Sequence, residues 1–303
     1  MNTKGKKYII CVVGPTAIGK TALGIKLANH YHTDILSADS RQFFREMEIG
    51  TAVPSKDELA AAKHHFIQHI SIQEPYSVGD FERDAIANLN ELFTTKDVVI
   101  VVGGSGLYVD AVTKGLDYFP DVDPAIRATL NTKNIEELQQ KLLALDPEYY
   151  EKVDIANPHR LIRALEICIG TGKPYSSFLN KGKEKRNFEV IYVGLEAERS
   201  IIYNRINQRV DIMLENGLLD EVKRLAPYKH LNALQTVGYR EFYEYLNGTY
   251  DLPTAIEEVK KNTRRFAKRQ LTWFRKNEAI LWFNYQESIA EITEKLDTLL
   301  TVN

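Results

Sequence analysis

The sequence of 303 residues contains only two cysteines, and it has no apolar run of the length that a membrane span requires. Cys11 and Cys168 are far apart and each lies within an apolar run, which excludes a cysteine-based zinc site and favours reduced core thiols. The apolar stretch and small-residue cleavage site of a secretory signal are also missing. These absences predict a cytoplasmic protein without a membrane partner.

The sequence also has little net charge. Its 39 Lys and Arg residues nearly balance 41 Asp and Glu residues, which excludes nucleic-acid binders that are basic throughout. The length predicts roughly two domains, and a hydrophobic fraction of 44% is typical of a globular protein. The charge is unevenly distributed, because one short segment without any acid contains eight cations: Lys260, Lys261, Arg264, Arg265, Lys268, Arg269, Arg275 and Lys276.

The most informative feature that is present is a P-loop between an apolar run and a helix-compatible segment. It reads Gly14, Pro15, Thr16, Ala17, Ile18, Gly19, Lys20 and Thr21. Its glycines allow successive N–H groups to face an anion, and the helix N-terminus that follows adds positive potential. Lys20 supplies a mobile cation, and the Thr21 hydroxyl is placed to ligate Mg²⁺. The loop predicts a diphosphate or polyphosphate site and leaves open whether ATP is bound.

The alternation of strands and helices in the first third predicts βαβ units, hence a P-loop NTPase-like α/β fold with a parallel sheet flanked by helices. The predicted strands are Tyr8–Val13, Ile35–Ala38, Phe66–Ile70, Val98–Val102, Val190–Val193 and Ile280–Phe283. The predicted helices of this core are Thr21–Tyr31, Lys56–Lys63, Val78–Phe93, Ser200–Leu225, Glu241–Leu246, Thr254–Lys276 and Ser288–Leu300.

After Pro120 the pattern becomes helical, with helices expected at Asp123–Asn131, Ile135–Leu145 and Pro158–Gly170 and a polar linker at Lys181–Arg186. The sequence therefore predicts a helical insertion domain of residues 120–186 within a catalytic core of residues 1–119 and 187–303.

The strand Val98–Val102 lacks the terminal acid that P-loop motors use to hold Mg²⁺ or orient water. Small residues follow it instead, and the Ser105 hydroxyl could border a ligand or belong to a tight packing turn. The acid lies elsewhere: Asp39 follows the second strand at the carboxyl edge of the sheet, where α/β folds bind ligands. Asp39 could be a general base, an outer Mg²⁺ ligand or a helix cap.

Further candidates lie outside the predicted sheet edge. Arg205 and Arg209 are one helical turn apart, so they could grip a phosphate together or lie in solvent. His64, His65 and His69 lack an accompanying acidic cluster, so structural or surface roles are expected for them rather than metal binding.

The basic segment of residues 260–276 would place its cations on two adjacent helical stripes. We expect Phe266, Trp273 and Phe274 to be buried on the opposite face. Because cations without an acid repel one another unless a polyanion is present, the segment favours binding of a nucleic-acid backbone over a merely solvated face.

Several blocks in one order resemble the tRNA dimethylallyltransferase family, in its bacterial form. They are the P-loop, Asp39–Gln42, Ile49–Ala52, Gly103–Tyr108, Asn157–Glu166, Arg205–Arg209 with Met213 and Gly217, Val237–Arg240 and Lys268–Arg275. They extend over nearly the whole chain. Phe44 stands where relatives often have tyrosine, Val53 where they have lysine, and Ser105 where threonine is more usual.

The resemblance implies transfer of a dimethylallyl group from dimethylallyl diphosphate to N6 of the adenosine 3′ of a tRNA anticodon. It implies that the P-loop holds the diphosphate, that Lys20, Arg209 and Mg²⁺ bound by Thr21 stabilise the leaving group, and that Asp39 takes the N6 proton. It assigns contacts with the tRNA anticodon stem-loop to Asp39, Ser40, Arg41, Gln42, Ser105, Arg127, His159, Arg160, Leu161, Ile162, Arg163, Gln235, Gly238, Tyr239, Arg240, Lys268, Arg269 and Arg275.

Three alternatives remain at the level of sequence. A P-loop kinase with ATP would explain the first third but neither the basic segment nor the arginines of the insertion. A prenyltransferase using AMP or ADP, and an RNA-binding module that uses a nucleotide as a switch, are the other two. A monomer is the default expectation, because no feature indicates an oligomer.

Overall fold

The computed structural model describes residues 5–180 and 185–302. One compact unit comprises Met1–Thr113 and Arg186–Asn303, and a second comprises Lys114–Lys185. The sequence prediction placed the first boundary six residues later, after residue 119, and the second boundary one residue later. Residues 181–184 of the predicted polar linker lie outside the described residues.

The larger unit begins with β1 (Tyr8–Val13), α1 (Lys20–Tyr31), β2 (Ile35–Ser37), α2 (Lys56–Ala61), β3 (His64–His65), α3 (Val78–Leu92), β4 (Val98–Val102) and α4 (Gly106–Lys114). The smaller unit contains α5 (Pro124–Leu130), α6 (Ile135–Leu145), α7 (Pro147–Tyr150), α8 (Pro158–Thr171) and a 3₁₀ turn at Tyr175–Phe178. The larger unit then continues with β5 (Glu189–Glu196), α9 (Arg199–Glu215), α10 (Leu218–Leu225), 3₁₀ turns at Ala226–Tyr228 and Asn232–Leu234, α11 (Arg240–Leu246), α12 (Leu252–Phe274), β6 (Ile280–Asn284) and α13 (Ile289–Val302).

The sheet of the larger unit has the strand order β3-β2-β4-β1-β5-β6, and all its pairings are parallel. Alternate residues of the central strand β1 enter different cores. Ile9, Cys11 and Val13 pack in one cluster, whereas Ile10 and Val12 pack in another. This period of two explains why β1 is apolar without interruption, since both faces of the strand are covered. The parallel α/β class is confirmed.

The carboxyl ends of β1, β2 and β4 lie side by side, because these strands are neighbours in a parallel sheet. The P-loop therefore follows β1, Asp39 follows β2, and the Gly103–Ser105 segment follows β4, all at one edge of the sheet. Three stretches that are separated in sequence thereby meet where α/β folds bind ligands.

Two predicted elements were wrong. Phe66–Ile70 is not a strand, because Phe66 and Gln68 have left-handed backbones with φ of 63° and 48°, and β3 ends at His65. Ser200–Leu225 is not one helix, because Gly217 adopts φ of 95° and separates α9 from α10. The helices α4 and α7 were not predicted.

The smaller unit has a core of its own. Leucines from three of its helices, Leu130, Leu142 and Leu161, are at most 2% exposed and pack in one cluster. The helix α8 begins at Asn157, whose side chain accepts a hydrogen bond from Arg160 N–H, and ends at Gly172, which has φ of 67°. No helix in the described part of the chain is long and apolar enough to cross a membrane.

Candidate functional site

The P-loop curls between β1 and α1 through residues with positive φ. Gly14 has φ of 141°, and a Cβ there would stand 2.7 Å from the Leu195 carbonyl oxygen of β5, so no side chain fits. Ala17 and Gly19 have φ of 64° and 110°, and Gly19 precedes α1 directly. The loop therefore presents its backbone at a helix N-terminus, the arrangement that binds phosphates.

Lys20 and Asp39 share an electrostatic environment. The Lys20 ammonium donates to the Pro15 carbonyl oxygen at 2.8 Å, across its own loop. Burial lowers the pKa of Lys20 to about 8, Asp39 opposes the shift, and Arg209 adds to it. Asp39 accepts a hydrogen bond from Arg41 N–H at 3.2 Å, which turns the chain after β2. The carboxylate is thus oriented beside the cation of the P-loop.

Arg205 and Arg209 both reach the P-loop from α9. Arg205 Nε donates to the Ala17 carbonyl oxygen at 2.6 Å, and its guanidinium lies 5.3 Å from the centre of the Tyr285 ring. Arg209 Nη1 donates to Thr16 Oγ1 at 3.4 Å. Arg205 therefore braces the loop backbone, and Arg209 is the arginine whose charge borders the cavity.

A cavity of about 480 Å³ opens beside these residues, within the size range of ligand pockets. Its polar end includes Thr16, Asp39 and Arg209. Its apolar lining includes Ile206, Val210, Met213, Leu218, Val259, Phe266 and Trp273. A ligand with an anionic head and an apolar tail would match both parts, and Asp39 lines the same space.

Gln270 is a functional residue of α12 that the sequence prediction did not single out. It is 6% exposed, and both ends of its amide are bonded. The oxygen accepts from Thr16 N–H at 2.8 Å, and the nitrogen donates to the Gly104 carbonyl oxygen at 2.9 Å. Only its place in the Lys268–Arg275 block marked it in the sequence.

The loop after Asp39 is held by partly buried hydrogen bonds within the chain. Gln42 donates from its amide nitrogen to the Ala52 carbonyl oxygen at 2.9 Å, and Arg41 donates to the Ala233 carbonyl oxygen at 3.0 Å. The Ser40 and Ser105 hydroxyls are 3.3 Å apart, so Ser105 joins the segment after β4 to the segment after β2.

A buried carboxylate supports the opposite wall of the cavity. Glu221, which is 2% exposed, accepts from the N–H groups of Glu48, Ile49 and Gly50 at 2.9–3.0 Å and from the Tyr239 hydroxyl at 2.7 Å. Tyr239 is fully buried and its side chain is enclosed by this network, and its contact with tRNA stays a prediction. Gln235 and Arg240 are exposed beside the cavity, and Gly238 lines it.

In the smaller unit the predicted RNA contacts divide into exposed and buried residues. His159 and Arg160 are exposed on the first turn of α8. The buried carboxylate of Glu166 accepts from Arg127 Nη2 at 2.8 Å and from Arg163 Nη1 at 3.1 Å, so it fixes two of the predicted arginines. Leu161 and Ile162 are core residues at 0% and 7% exposure, so their side chains make packing contacts. Their contacts with tRNA stay a prediction.

The basic segment of residues 260–276 is partly neutralised by two acids from other elements and by one acid of α12 itself. Lys260 pairs with Asp211 at 2.8 Å, Lys261 pairs with Glu258, and Arg275 pairs with Glu196 at 3.3 Å. Lys268 and Arg269 are exposed on the same helix. Only part of the segment therefore needs a polyanion, which corrects the argument from like-charge repulsion.

The aromatic residues of α12 also differ from the prediction. Phe274 is buried, but Phe266 and Trp273 are more than one third exposed and line the cavity. The Trp273 indole N–H donates to Asp110 Oδ2 at 3.0 Å, which fixes the ring. These two rings thus contribute to the site instead of the core.

Metal binding by side chains alone has little support in the described residues, where no group of three or more His, Cys, Asp or Glu could hold an ion. His65 bonds Asp34 at 2.8 Å, in keeping with a structural role. Thr21, the second residue of α1, is half-buried beside Lys20.

The sequence is similar to known proteins over nearly its whole length. The model of the family described as IPP transferase matches residues 42–277. The tRNA dimethylallyltransferase of Christiangramia forsetii is 62% identical over 296 residues, which cover 96% of this chain and 98% of that protein. The tRNA dimethylallyltransferase of Flavobacterium johnsoniae is 60% identical, with 94% and 96% covered.

Solved structures give the same result. The crystal structure of the full-length tRNA isopentenylpyrophosphate transferase from Bacillus halodurans aligns with a TM-score of 0.74 and 36% identity, covering 98% of this chain and 97% of that one. A eukaryotic dimethylallyltransferase, captured in crystallographic snapshots acting on tRNA, aligns with a TM-score of 0.81 and 26% identity, covering 93% and 74%.

Proposed function

Because this chain belongs to the IPP transferase family, that of the tRNA dimethylallyltransferases, it is a prenyltransferase, and we propose that it transfers a dimethylallyl group from dimethylallyl diphosphate to N6 of the adenosine 3′ of the anticodon in tRNA. The observation that carries the proposal is the shared cavity. Asp39, the P-loop residue Thr16 and an apolar wall line one space of about 480 Å³.

The two parts of the cavity match the two parts of the donor. The P-loop and Arg209 suit the diphosphate, because N–H groups, a helix N-terminus and cations stabilise anions. Residues such as Ile206, Met213 and Phe266 suit the dimethylallyl chain, which has no polar atom to satisfy. The reacting carbon would then lie between the P-loop and Asp39.

Proton removal falls to Asp39 in this proposal. The N6 nitrogen forms a bond to C1 of the dimethylallyl group while the C1–O bond breaks and its electron pair leaves with the diphosphate. N6 then carries an excess proton, which the Asp39 carboxylate accepts. The Arg41 N–H bond to Asp39 Oδ1 leaves the second carboxylate oxygen for this task.

The leaving diphosphate gains negative charge in this step, and the residues that face it are cationic. Lys20 can swing from the Pro15 carbonyl oxygen to the phosphate, because the contact of 2.8 Å is within its own loop. Arg209 is already oriented by Thr16. Positive charges that face the leaving group stabilise the transition state more than the ground state, because the negative charge on the diphosphate grows during the reaction. Mg²⁺, held by the Thr21 hydroxyl, would supply further charge neutralisation of the diphosphate.

The acceptor side of the proposal rests on exposed groups. Gln235, Arg240 and Arg269 border the cavity, and Lys268 lies on the same helix. We assign the tRNA backbone to such cations and the target adenine to the cavity. The adenine must leave its stack to reach Asp39, which costs a few kcal/mol. In the smaller unit, His159, Arg160, Arg127 and Arg163 are proposed as additional contacts.

The experiment that tests the proposal is a transfer assay with Mg²⁺, dimethylallyl diphosphate and unmodified tRNA, AMP or no acceptor. We expect label in tRNA alone. Asp39→Asn keeps the oxygen that Arg41 N–H contacts but cannot accept the proton, so kcat should fall about a hundredfold to ten-thousandfold while tRNA binding persists.

The exposed Asp220→Asn on α10 is the matched control and should keep full activity. Label in AMP but not in tRNA would contradict the proposed acceptor. ATP turnover without prenyl transfer would indicate a kinase. Loss of tRNA binding together with activity in Asp39→Asn would contradict the role of a base.

A further inference from the structure

Gln270 links the two loops that form the anion end of the cavity. Its amide oxygen accepts from the backbone N–H of Thr16, the third residue of the P-loop, and its amide nitrogen donates to the Gly104 carbonyl oxygen. These loops follow β1 and β4, which are neighbours in the sheet. The side chain is 6% exposed and comes from α12, 254 residues further along the chain than Thr16.

The contacts require an amide in particular. At neutral pH a glutamate would accept at both ends, so it would repel the Gly104 carbonyl oxygen, and a methionine would do neither. A buried amide with both ends bonded avoids the cost of an unsatisfied polar group, so the arrangement is stable only as a bridge.

The bridge lies close to the catalytic cation. A Cβ built on Gly104 would stand 2.5 Å from Gln270 Nε2 and 3.5 Å from Lys20 Nζ. The Gln270 amide and the Lys20 ammonium therefore both lie next to Gly104. A Cβ at position 104 would displace the Gln270 amide. Gln270 therefore occupies the region between the start of the P-loop and its lysine.

This position affects what the P-loop can bind. A P-loop contacts a phosphate chain through successive backbone N–H groups, and here the N–H of Thr16 is taken by a protein oxygen. The N–H groups from Ala17 onward and the Lys20 ammonium remain for the anion. A phosphate chain that extended toward Thr16 would have to displace a buried, doubly bonded side chain.

We propose that Gln270 is a positioning residue that fixes the start of the P-loop and restricts the site to a diphosphate, excluding a triphosphate. The inference rests on the proposed function, in which the bound anion is the diphosphate of the prenyl donor. It assigns phosphate-chain selectivity to one amide of the helix that also carries Lys268 and Arg269.

The test compares inorganic pyrophosphate with tripolyphosphate, each with Mg²⁺, by calorimetric titration of the full-length protein. The wild type should bind pyrophosphate more tightly by about tenfold or more, since displacing a buried hydrogen-bonded group is costly. Gln270→Ala vacates the space, so the preference for pyrophosphate over tripolyphosphate should narrow to within about threefold. The KM for dimethylallyl diphosphate should rise about tenfold, and the KM for tRNA should change little.

Two further variants keep the result interpretable. Gln270→Asn keeps the amide, but its side chain is too short to span both loops, so the preference for pyrophosphate should narrow here too. This variant serves as the test if Gln270→Ala does not fold. Gln270→Glu still fills the space and accepts from Thr16 N–H, so it should weaken both anions yet retain the preference. Gln208→Ala, the same substitution as Gln270→Ala at an exposed position of α9, is the control for stability by thermal unfolding.

Equal weakening of both anions in Gln270→Ala and Gln270→Asn would show a purely structural bridge and overturn the inference. A wild type that does not discriminate between the anions would also overturn it. Absence of prenyl transfer in a wild type that keeps the preference would count against the proposed function and leave the selectivity of Gln270 in place.

Discussion

At the scale of single residues, the site depends on groups whose surroundings change their chemistry. Lys20 is the clearest case, because burial lowers its pKa to about 8 from the ordinary value of 10.5. The ammonium donates a hydrogen bond within the P-loop, to the Pro15 carbonyl oxygen. A bound diphosphate would restore the charge environment that burial removes and would raise the pKa again.

Anion binding should therefore depend on pH through Lys20. The lowered pKa means that the charged form is present below about pH 8 and is lost above it, so pyrophosphate affinity should be constant near pH 7. Above pH 8 the affinity should fall by up to about tenfold per pH unit, because the anion then binds with uptake of a proton. Titrations between pH 7 and pH 10 measure this.

Lys20→Arg provides the comparison for the pH series, because a guanidinium stays charged over the whole range. Its affinity should be lower near pH 7, owing to the larger head group, but nearly independent of pH. A wild-type affinity that does not change between pH 7 and pH 10 would contradict the assignment.

At the scale of elements, α12 has three roles, and the residues that carry them alternate along its sequence. Ala267 and Phe274 pack in the core, Gln270 bonds the P-loop, and the exposed side chains of Lys268 and Arg269 face outward. Lys260 and Lys261, at the other half of the helix, are held by acids. The helix therefore has a neutralised part and a part that is available to a polyanion.

This division predicts unequal effects of neutralising the two halves. Lys268→Gln with Arg269→Gln should weaken tRNA binding and reduce the slope of log K against log salt by about two, one for each lost phosphate contact. Lys260→Gln with Lys261→Gln removes paired charges, so the slope should change much less. Binding of the tRNA anticodon stem-loop over a salt series measures both. Equal salt slopes in the two double variants would contradict the assignment of Lys268 and Arg269 to the tRNA backbone.

The elements also show which parts of the fold the sequence could predict. Continuous apolar runs such as Val98–Val102 and helix caps such as Asn157 are local signals, and the structure confirms the strand and the helix that they mark. Gly217 is a local signal too, but a single glycine inside a helical pattern does not reveal whether its φ becomes positive. Phe66 adopts φ of 63°, which no intrinsic preference of phenylalanine favours.

The site was predictable only where a motif carried its own chemistry. The P-loop and Asp39 could be identified because each follows a recognisable strand. Gln270 and Glu221 could not, because their roles are created by partners distant in sequence, Thr16 for one and Gly50 for the other. For the same reason the acids that neutralise α12 were missed: Asp211 and Glu196 belong to other elements.

At the scale of the whole molecule, the two units have separate cores. The larger unit has two apolar clusters around its sheet, whereas the smaller unit depends on one cluster of seven buried residues. Small cores have little stability in reserve. The P-loop, Asp39 and the cavity belong entirely to the larger unit. The smaller unit contributes the exposed arginines of α8 and α5 that we propose as tRNA contacts.

A substitution that destabilises the core of the smaller unit should therefore impair the use of tRNA but not the binding of the diphosphate. Leu142 is fully buried, and Leu142→Ala should cost about 2–5 kcal/mol, enough to unfold a unit of this size at moderate temperature. Three measurements check this. The thermal transition should be lower, and pyrophosphate binding should stay close to the wild-type value. Transfer to tRNA should fall at least about tenfold, because the KM for tRNA rises.

The adjacent Leu143→Ala removes the same atoms from a side chain that is 49% exposed, so it should leave all three quantities almost unchanged. If Leu142→Ala unfolds the smaller unit and tRNA is still modified with the wild-type KM, the proposed contacts of Arg127, Arg160 and Arg163 are wrong. If pyrophosphate binding is lost as well, the anion site depends on the smaller unit, contrary to a cavity lined only by residues of the larger one.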